Sequence, residues 1–527
     1  FCPSIKLSAE SAVFFAKHHL FTSGNKPGRL LARLARGRTA PTIISSLKDY
    51  TNTQHFKSKN ICNIMKKFFQ NLYTSECQNA STASFWKHFL DGVVLPSLSE
   101  EKCRNLGRPI TANEVMETIN SRPNGKAPGP DGFGPLTKMF AESGMRGCLP
   151  PTLNLAHISL ILKKDKPAYN CASYRPISLL GTDIKILAKL LVRRLELVLP
   201  TLINPDQTGF IKNRYSHSNV RRLLNIIHFS QYSRTRALIL SLYTEKAFDR
   251  VEWEYLFDTL DKFGLGPDFI NWIHLLYRFP TARIRVNGYS PGMSCPLSPL
   301  LFALALEPLA ETIRHHKNLS GVTLGNTEHK ISLYANDISG YKINFEKSEA
   351  LPLFNFGDHT TLVDFPFKWS LSGFIYVGIR ASASIKDMYK LNFTTTVKSV
   401  KNDLNRWFDL PLSCMGRISL IKMNALPRLL YPMQMLPFRI NTFAILDIQR
   451  SISRFVWHGK RPRLKMRTLQ LPVNKGGQAL PNFLYYNWAC HARIVYGWLK
   501  HFLNPEEHHV DAWSCAPHSI KFAFNKS

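Results

Sequence analysis

The chain has 527 residues, of which 44% are hydrophobic, so its composition excludes a disordered protein and allows roughly two to four structural units with a buried core. Lysine and arginine number 68 against 36 acidic residues, which gives a formal net charge of +32 at pH 7. This charge indicates a polyanionic partner, of which nucleic acid is the commonest; an anionic membrane surface is the weaker alternative, because no apolar run reaches the roughly 18–20 residues of a spanning helix.

The ten cysteines are scattered and include no CxxC pair, so a disulfide framework is not expected. In the C-terminal tail, Cys490, His491 and the cysteine and histidines after residue 500 leave two interpretations open. They are a zinc site, although the spacing matches no standard template, or free thiols and surface imidazoles. No secretory signal is found, so we expect a nuclear or cytoplasmic protein rather than a secreted one. The first residue is Phe1, which suggests a piece of a longer product.

Residues 1–104 are predicted to form a basic helical extension. Its stretch "GNKPGRLLARLARGR" places leucines on one helical face with arginines around them. This pattern fits an ordinary amphipathic helix with a solvated face or an arm that follows phosphates. Further along, "ITANEVMETINS" predicts a helix capped by Thr111 and Glu114, and the Pro- and Gly-rich residues 122–134 predict a loop.

Two basic helices are predicted next. "GTDIKILAKLLVRRLELVLP", residues 181–200, predicts a helix with Thr182 as its N-cap residue and its end at Pro200. "DQTGFIKNRYSHSNVRRLLNIIH", residues 206–228, predicts a turn followed by a second basic helix.

A strand, two helices and a hairpin follow. "ALILSLY", 237–243, predicts a buried strand, and "SPLLFALALEPLAETIRHH", 298–316, predicts a mostly apolar helix. Between them, residues 250–264 predict a helix whose inward face carries Val251, Trp253, Leu256, Phe257 and Leu260. "SLYANDISGYKIN", 332–344, predicts a tight hairpin turn.

After residue 350 short strands and helices alternate. "FIYVGI", 374–379, predicts a short strand, and 416–436 predicts a helix interrupted by Pro427 and Pro432. "WHGKRPRLKMR", 457–467, is a concentrated basic patch beside a tryptophan.

Seven of these pieces occur in one order along the chain: "NGKAPGPDGF", "SYRPISLLGTDIKILAKLLVRRLELVLPTLINPDQTGFI", "LILSLYTEKAFDRVEW", "CPLSPLLFALALEPLA", "LYAND", "GYKINFEKSEA" and "YVGI". This order resembles the reverse transcriptase of LINE-type (non-LTR) retrotransposons, in a degenerate copy. The resemblance covers about residues 105–500, and the family's upstream endonuclease portion is absent from the sequence.

The resemblance implies an α+β fold of the right-hand polymerase type. Its expected parts are fingers over 105–235, a palm built on an antiparallel sheet over 236–382, a thumb over 383–440 and a C-terminal basic region over 441–527. After Asp337 only two residues precede "GYKINFEK", so the palm is expected to be shortened by a strand and a helix.

The resemblance also implies an RNA-directed DNA polymerase that transfers nucleotides with two Mg²⁺ ions. The family's metal carboxylates come from the end of one strand and from a paired-Asp hairpin. Here Tyr243 and Asn336 occupy two of these Asp positions, and Asp337 is the surviving catalytic carboxylate and metal ligand. Without the two lost charges we expect the activity to be absent or lowered by at least about 10³-fold. The alternative is that Asn336 and Asp337 simply form a good hairpin turn.

The positions that the family uses for binding are better preserved. The resemblance assigns Lys163, Lys164, Arg175 and Phe248 to the nucleotide, and Lys347 to proton donation in catalysis. It assigns Gln207, Gly209, Phe210 and Lys212 to nucleic acid, and Tyr376 and Gly378 to the grip on the primer. The alternative for such basic clusters is a solvated surface.

The expected partners are therefore an RNA template and a DNA primer, or another nucleic acid, and no membrane. Three hypotheses follow: a polymerase by descent that lacks activity, a non-catalytic RNA- or DNA-binding protein on the same fold, and a translated element copy without a function.

Overall fold

The computed structural model describes most of the chain: residues 32, 44–74, 80–121, 133–151, 153–163, 166–243, 251–278, 280–285, 295–324, 327–333, 343–353, 366–436 and 440–503. Four predicted site residues, Lys164, Phe248, Asn336 and Asp337, lie outside these ranges.

Helices supply most of the regular structure. They are α1 (Ser58–Tyr73), α2 (Ala80–Asp91), α3 (Glu100–Gly107), α4 (Ala112–Asn120), α5 (Phe133–Arg146), α6 (Thr182–Leu202), α7 (Ser216–Ser233), α8 (Trp253–Lys262), α9 (Pro267–Tyr277), α10 (Ser298–His315), α11 (Ile385–Tyr389), α12 (Thr395–Arg406), α13 (Cys414–Leu420), α14 (Leu426–Met435), α15 (Thr442–Val456), α16 (Met466–Gln470) and α17 (Phe483–Leu503).

The strands are short. They are β1 (Leu47–Lys48), β2 (Gln54–His55), β3 (Leu155–Leu162), β4 (Tyr174–Leu179), β5 (Ala237–Ser241), β6 (Thr281–Arg285), β7 (Val322–Leu324), β8 (Thr327–His329), β9 (Glu349–Leu353), β10 (Lys368–Trp369), β11 (Phe374–Tyr376) and β12 (Ile379–Ala381). Within the described ranges they form two three-stranded sheets, ordered β4-β3-β6 and β10-β9-β5, and three hairpin pairs. Helices with mainly antiparallel strand pairs confirm the predicted α+β class.

The sheet β4-β3-β6 has one covered and one cationic face. Because side chains alternate along a strand, Leu160 and Ile284 lie on one face, where they pack against a core that includes residues of α1. The pairs Ile161↔Arg175 and His157↔Arg283 place both arginines on the other face, and both side chains are exposed.

Helix α6 lies in the largest core, which also contains residues of α3, α4, α8, α9 and α10. The N-cap residue is Gly181 rather than the predicted Thr182, which is already the first residue of the helix. The helix continues to Leu202, so the predicted end at Pro200 is also wrong. Pro200 removes one backbone donor, but Leu199 and Leu202 on either side of it are each 1% exposed, and their burial holds the last turn.

The capping box predicted at Thr111 and Glu114 is confirmed. The Glu114 carboxylate also accepts two hydrogen bonds from Arg194 of α6, at 3.1 and 2.7 Å, and Arg194 donates to the carbonyls of Leu106 and Pro109 as well. Burial opposes ionisation of Glu114, but the two arginines that contact it, Arg194 and Arg108, lower its pKa to about 2.

Two other predictions about local structure are corrected. "FIYVGI" is not one strand but the start of a hairpin, in which β11 turns into β12 at Val377 and Gly378. Their φ angles of 47° and 73° are those of the tight turns that match strand twist. Trp253 does not face inward: as the first residue of α8 it packs edge-on against Tyr277 and stays 46% exposed.

A second core spans residues 393–490 and so joins helices on both sides of residue 440, where the thumb was predicted to end. The helix predicted over 416–436 is divided just before Pro427 by a π-helical segment, Ile421–Ala425, between α13 and α14. The interruption predicted at Pro432 is wrong, because Pro432 lies inside α14. Among the described helices none is long and apolar enough to cross a bilayer.

Arg417 is the buried polar centre of this second core. Its side chain is 2% exposed and donates to the carbonyls of Phe408, Leu410 and Phe455 at 2.8, 3.1 and 3.3 Å. The guanidinium also lies over the Phe455 ring, 4.9 Å from its centroid. The planar guanidinium therefore hydrogen-bonds both to the loop after α12 and to the end of α15.

We predict that Arg417→Lys lowers the free energy of unfolding by about 2–4 kcal/mol. A single ammonium group cannot donate to all the carbonyls that the guanidinium contacts, so some of these buried carbonyls lose their hydrogen-bond donor. Urea unfolding followed by circular dichroism measures this loss. The matched exchange at the exposed Arg406 should cost less than about 0.5 kcal/mol. Equal losses in the two variants would contradict this role of Arg417.

Candidate functional site

Tyr243 lies just after β5, at the strand end where the sequence comparison expected a carboxylate. Its backbone N–H donates to Ser348 Oγ at 3.0 Å, and its carbonyl accepts from the Asn344 N–H at 2.8 Å. The phenol hydroxyl donates to the Ile375 carbonyl in β11 at 2.6 Å. Tyr243 thus connects the end of β5 to the β11–β12 hairpin.

The turn at Gln207 is paired with the segment that leads into the predicted Asn336–Asp337 hairpin. Leu333 is fully buried; its N–H donates to the Asp206 carbonyl and its carbonyl accepts from the Thr208 N–H, both at 3.1 Å. The Asn219 amide of α7 donates to the same carbonyl at 2.7 Å. These three hydrogen bonds fix the position of the chain at Leu333, which directly precedes Tyr334 in the sequence.

The two regions are linked by a side-chain contact. Ser332 Oγ lies 3.2 Å from the hydroxyl of Tyr376 in β11. The end of β5, residues 332–333 and the β11–β12 hairpin therefore lie together.

Arg314 of α10 stabilises the Gln207 turn through Asp206. Its guanidinium makes two hydrogen bonds to the Asp206 carboxylate, at 2.8 and 2.5 Å, and contacts Glu307 at 2.8 Å and Glu311 at 2.7 Å. Burial by itself would lower the pKa of Arg314, but the hydrogen bonds to Asp206 and the charges of the three carboxylates together outweigh burial and raise the pKa. We call this group of four side chains the Arg314 cluster.

Arg214 supports the same turn through the backbone. It donates to the carbonyls of Ile203, Asn204 and Gln207 at 2.7, 2.6 and 2.9 Å. Burial lowers the pKa of Arg214, and the nearby Glu307 partly offsets that effect. Sequence reasoning missed both arginines, because the partners of Arg214 are backbone carbonyls and the doubly bonded partner of Arg314, Asp206, is 108 positions away.

Glu307 is the most buried carboxylate of the Arg314 cluster, with 1% of its surface exposed. Its Oε1 accepts from the Asn204 N–H at 2.9 Å and from Arg314. Burial raises the pKa of Glu307 to about 7; Arg314 opposes the shift, and the Asp206 charge adds to it. One guanidinium shared by several carboxylates leaves the most buried one easiest to protonate.

The four predicted nucleic-acid contacts at this turn divide into two pairs. Gln207 is fully buried, and its Oε1 accepts from the Gly209 N–H at 2.9 Å, so these two residues shape the turn. Phe210, with φ of 63°, is 50% exposed, and Lys212 is exposed. The outward pair is the one that a ligand can reach.

The two predicted nucleotide-binding residues that the structure describes, Lys163 and Arg175, lie beside and on the sheet β4-β3-β6. Arg175 is exposed on its cationic face, and Lys163 Nζ donates to the Ala172 carbonyl at 2.8 Å. Arg283 shares the face with Arg175 but was not predicted; its signal is the alternating basic pattern "ARIR" of β6.

The predicted primer grip is the β11–β12 hairpin. Tyr376 is 8% exposed and belongs to the core between α7 and this hairpin. Gly378 lies in the turn beside Tyr431, and a Cβ atom at this position would lie 3.4 Å from the Tyr431 ring. The Tyr431 hydroxyl donates to the Val377 carbonyl, so α14 supports the turn. Lys347 is exposed in the loop before β9.

The described residues at the end of β5 do not fit a magnesium ion. Mg²⁺ favours anionic oxygen ligands in a strict octahedral arrangement, whereas Tyr243 is a neutral phenol already bonded to Ile375. Nowhere in the described ranges do three or more His, Cys, Asp or Glu side chains form a group that could hold a metal ion.

Comparison with known proteins gives one family and several relatives. Residues 161–351 match the family described as reverse transcriptase (RNA-dependent DNA polymerase). The chain is 28% identical over 470 residues to the Transposon TX1 uncharacterized 149 kDa protein of Xenopus laevis, an alignment that covers 79% of the chain and 35% of that protein.

Two further relatives are Pol polyproteins of R2 retrotransposable elements. The chain is 26% identical over 237 residues to that of element R2DM from Drosophila melanogaster, covering 40% of the chain and 21% of the relative. It is 23% identical over 372 residues to that of type-1 element R2 from Popillia japonica, covering 62% and 52%. The chain thus spans about half or less of the length of each of these relatives.

The raised pKa of Glu307 predicts a pH-dependent stability. Because the folded protein holds this proton more tightly than the unfolded chain, with a pKa of about 7 against 4.5, the stabilisation is complete below pH 4.5 and is lost as the pH rises through about 7. Glu307→Gln keeps the acceptor oxygen and removes the titration. We expect the free energy of unfolding of the wild type, relative to this variant, to fall by at most about 3 kcal/mol from pH 4.5 to pH 8.

Urea titrations at the two pH values measure the difference. Glu117→Gln is the matched control, because this carboxylate is 64% exposed and should give no such trend. If the difference in free energy of unfolding between the wild type and Glu307→Gln is the same at both pH values, Glu307 does not titrate in this range.

Proposed function

Because the chain carries a reverse transcriptase domain of retrotransposon origin, we propose that it is a nucleic-acid-binding protein with a polymerase fold that has lost efficient nucleotide transfer. Reverse transcriptases bind a template and a primer and generally use divalent metal ions. In this proposal the protein retains nucleic-acid binding and has lost nucleotide transfer.

The observation that carries the proposal is the environment of Tyr243. A carboxylate at this strand end would supply negative charge that offsets the cost of partly dehydrating Mg²⁺, in the two-metal mechanism expected from the family. The phenol supplies no charge, and its hydroxyl proton is donated to the Ile375 carbonyl at 2.6 Å. An ion bound there would have to displace a hydrogen bond that holds the β11–β12 hairpin.

The second replaced carboxylate has the same effect. Asn336 offers a carbonyl oxygen without charge, so Asp337 is the one anionic ligand retained from the family's set. These two residues lie outside the described ranges, and their arrangement is part of the proposal. Two neutral substitutions in one site remove more charge than a hydrogen-bonding oxygen can replace.

Binding depends on other groups. The net charge of +32 favours nucleic acid through release of counterions from phosphates, whatever the base sequence. Several cations are exposed where the fold could contact a phosphate backbone: Arg175, Arg283, Lys212, Lys460, Arg461, Arg463 and Lys465. The last four lie in the basic patch between α15 and α16.

The predicted parts of the polymerase fold are kept in this proposal: fingers over 105–235, a shortened palm over 236–382 and a thumb from 383. The core that spans 393–490 supports treating the C-terminal region up to residue 490 as packed with the thumb.

We predict that the wild type does not extend oligo(dT) on poly(rA) with Mg²⁺ or Mn²⁺, and that Tyr243→Asp combined with Asn336→Asp raises incorporation of labelled nucleotide by at least about 10³-fold. Tyr243→Phe with Asn336→Asp is the control, since it breaks the hydrogen bond to Ile375 without adding a ligand at this position. If the wild type extends the primer and Asp337→Ala abolishes this extension, the proposed loss of activity is wrong.

We also predict that binding of single-stranded RNA weakens linearly in a plot of log affinity against log salt concentration. Replacing Arg175 and Arg283 together by Ala should lower the slope by about 1 to 2, as expected when one or two phosphate contacts are lost. Fluorescence anisotropy at several salt concentrations measures the slope. Arg146→Ala is the control, because this arginine is 73% exposed but paired with Glu142. Failure of the wild type to bind at low salt, despite cooperative unfolding, would contradict the proposed function and favour an element copy without a role.

A further inference from the structure

An open pocket lined mainly by aromatic rings lies between α8 and the end of α9. Its volume is about 410 Å³, and its walls are Trp253, Phe257, His274, Tyr277 and Arg278. Pockets for small ligands have volumes of roughly 300–1,000 Å³, so the space suits a flat ring with one substituent. None of these five residues belongs to the site at the end of β5.

The rings support one another and leave flat surface open. Phe257 and His274 are stacked, with centroids 3.6 Å apart and planes at 20°. Trp253 meets Tyr277 edge-on at 5.2 Å, so the indole is held in place while 46% of its surface remains exposed. An indole that is positioned by a neighbour and open to solvent loses little conformational entropy when a ligand stacks on it.

The charge of the pocket selects the class of ligand. Of the five lining residues, Arg278 is the one that is always charged, because burial lowers the pKa of His274 and favours its neutral form. A methylated ammonium group, the other common guest of aromatic cages, would be repelled by the guanidinium. A planar ring joined to an anion fits both features, and the Arg278 N–H groups can meet that anion while one of them donates to the Gly147 carbonyl.

The chain places this pocket between two segments of the polymerase fold. Helix α8 follows residues 244–250, which carry Phe248, and Arg278 precedes β6, the strand that brings Arg283 to the cationic face of sheet β4-β3-β6.

We propose that this pocket binds an unpaired base of a single-stranded nucleic acid, with the base stacked on Trp253 and its phosphate on Arg278. The inference rests on the proposed nucleic-acid binding and adds a subsite to it. Duplex is excluded, because a paired and stacked base cannot present its face to a side chain.

Photocrosslinking tests the position of the base. A single-stranded RNA of about 12 nucleotides with 5-iodouridine, the DNA of the same sequence with 5-iododeoxyuridine, and the corresponding duplexes are irradiated with the full chain, and the modified peptide is mapped by mass spectrometry. We expect crosslinks to Trp253 or Tyr277 with single strands and not with duplexes. The RNA and DNA arms show which sugar is preferred. If the RNA or DNA binds but crosslinks only to residues outside the pocket, the proposed base site is wrong and the proposed function still holds.

Affinity provides an independent measurement. Trp253→Ala should weaken single-strand binding about tenfold, and Trp253→Phe about threefold or less, because a stacked aromatic ring is retained. Trp488→Ala removes a tryptophan of similar exposure, 56%, on α17 and should leave the affinity unchanged. Equal losses for Trp253→Ala and Trp488→Ala, or no loss for either, would contradict the pocket. No binding by the wild type at low salt would overturn the proposed function as well.

Discussion

The arrangement of the candidate site depends on the Arg314 cluster. A guanidinium that is mostly buried is stable only when its donors are satisfied, and here three carboxylates from α10 and the Gln207 turn satisfy it. The turn held in this way pairs with Leu333, and Leu333 directly precedes the predicted Asn336–Asp337 hairpin. The Arg314 cluster therefore positions the chain at Leu333 from the opposite side of the turn.

Tyr243 has a structural role that differs from the metal-binding role expected of a carboxylate at this position. An acid at the end of β5 would repel its neighbours in the palm until a metal ion balanced the charge, whereas the phenol hydrogen-bonds directly to the Ile375 carbonyl. The phenol thus donates a hydrogen bond within the fold that an ionised carboxylate, which is only an acceptor, could not donate. In the proposed function, binding and chemistry are separable because many surface cations share the attraction to phosphate, whereas only a few side chains can assemble a metal site.

The motif order was informative about the family, and local patterns were informative about elements whose ends carry their own signals, such as the Thr111 capping box. Patterns failed where packing outweighed propensity. Burial of Leu199 and Leu202 carries α6 past Pro200, and the position of Trp253 at the first turn of α8 leaves it outside the core that periodicity predicted. The residues that hold the site were not predictable from short motifs, because Asp206 and Arg314 are 108 positions apart and Tyr243 and Ser348 are 105 apart.

The sequence by itself determined the similarity to reverse transcriptases, the positive charge and the presence of uncharged side chains at residues 243 and 336, since each can be read from residue types in order. Only the tertiary structure decided which side chains serve the fold and which face solvent. It buried Gln207 and Tyr376, left Phe210 and Arg175 exposed, and brought rings from α8 and α9 into one pocket. The physical reason is that burial and hydrogen-bond partners depend on segments that approach from distant parts of the chain, which residue order does not encode locally.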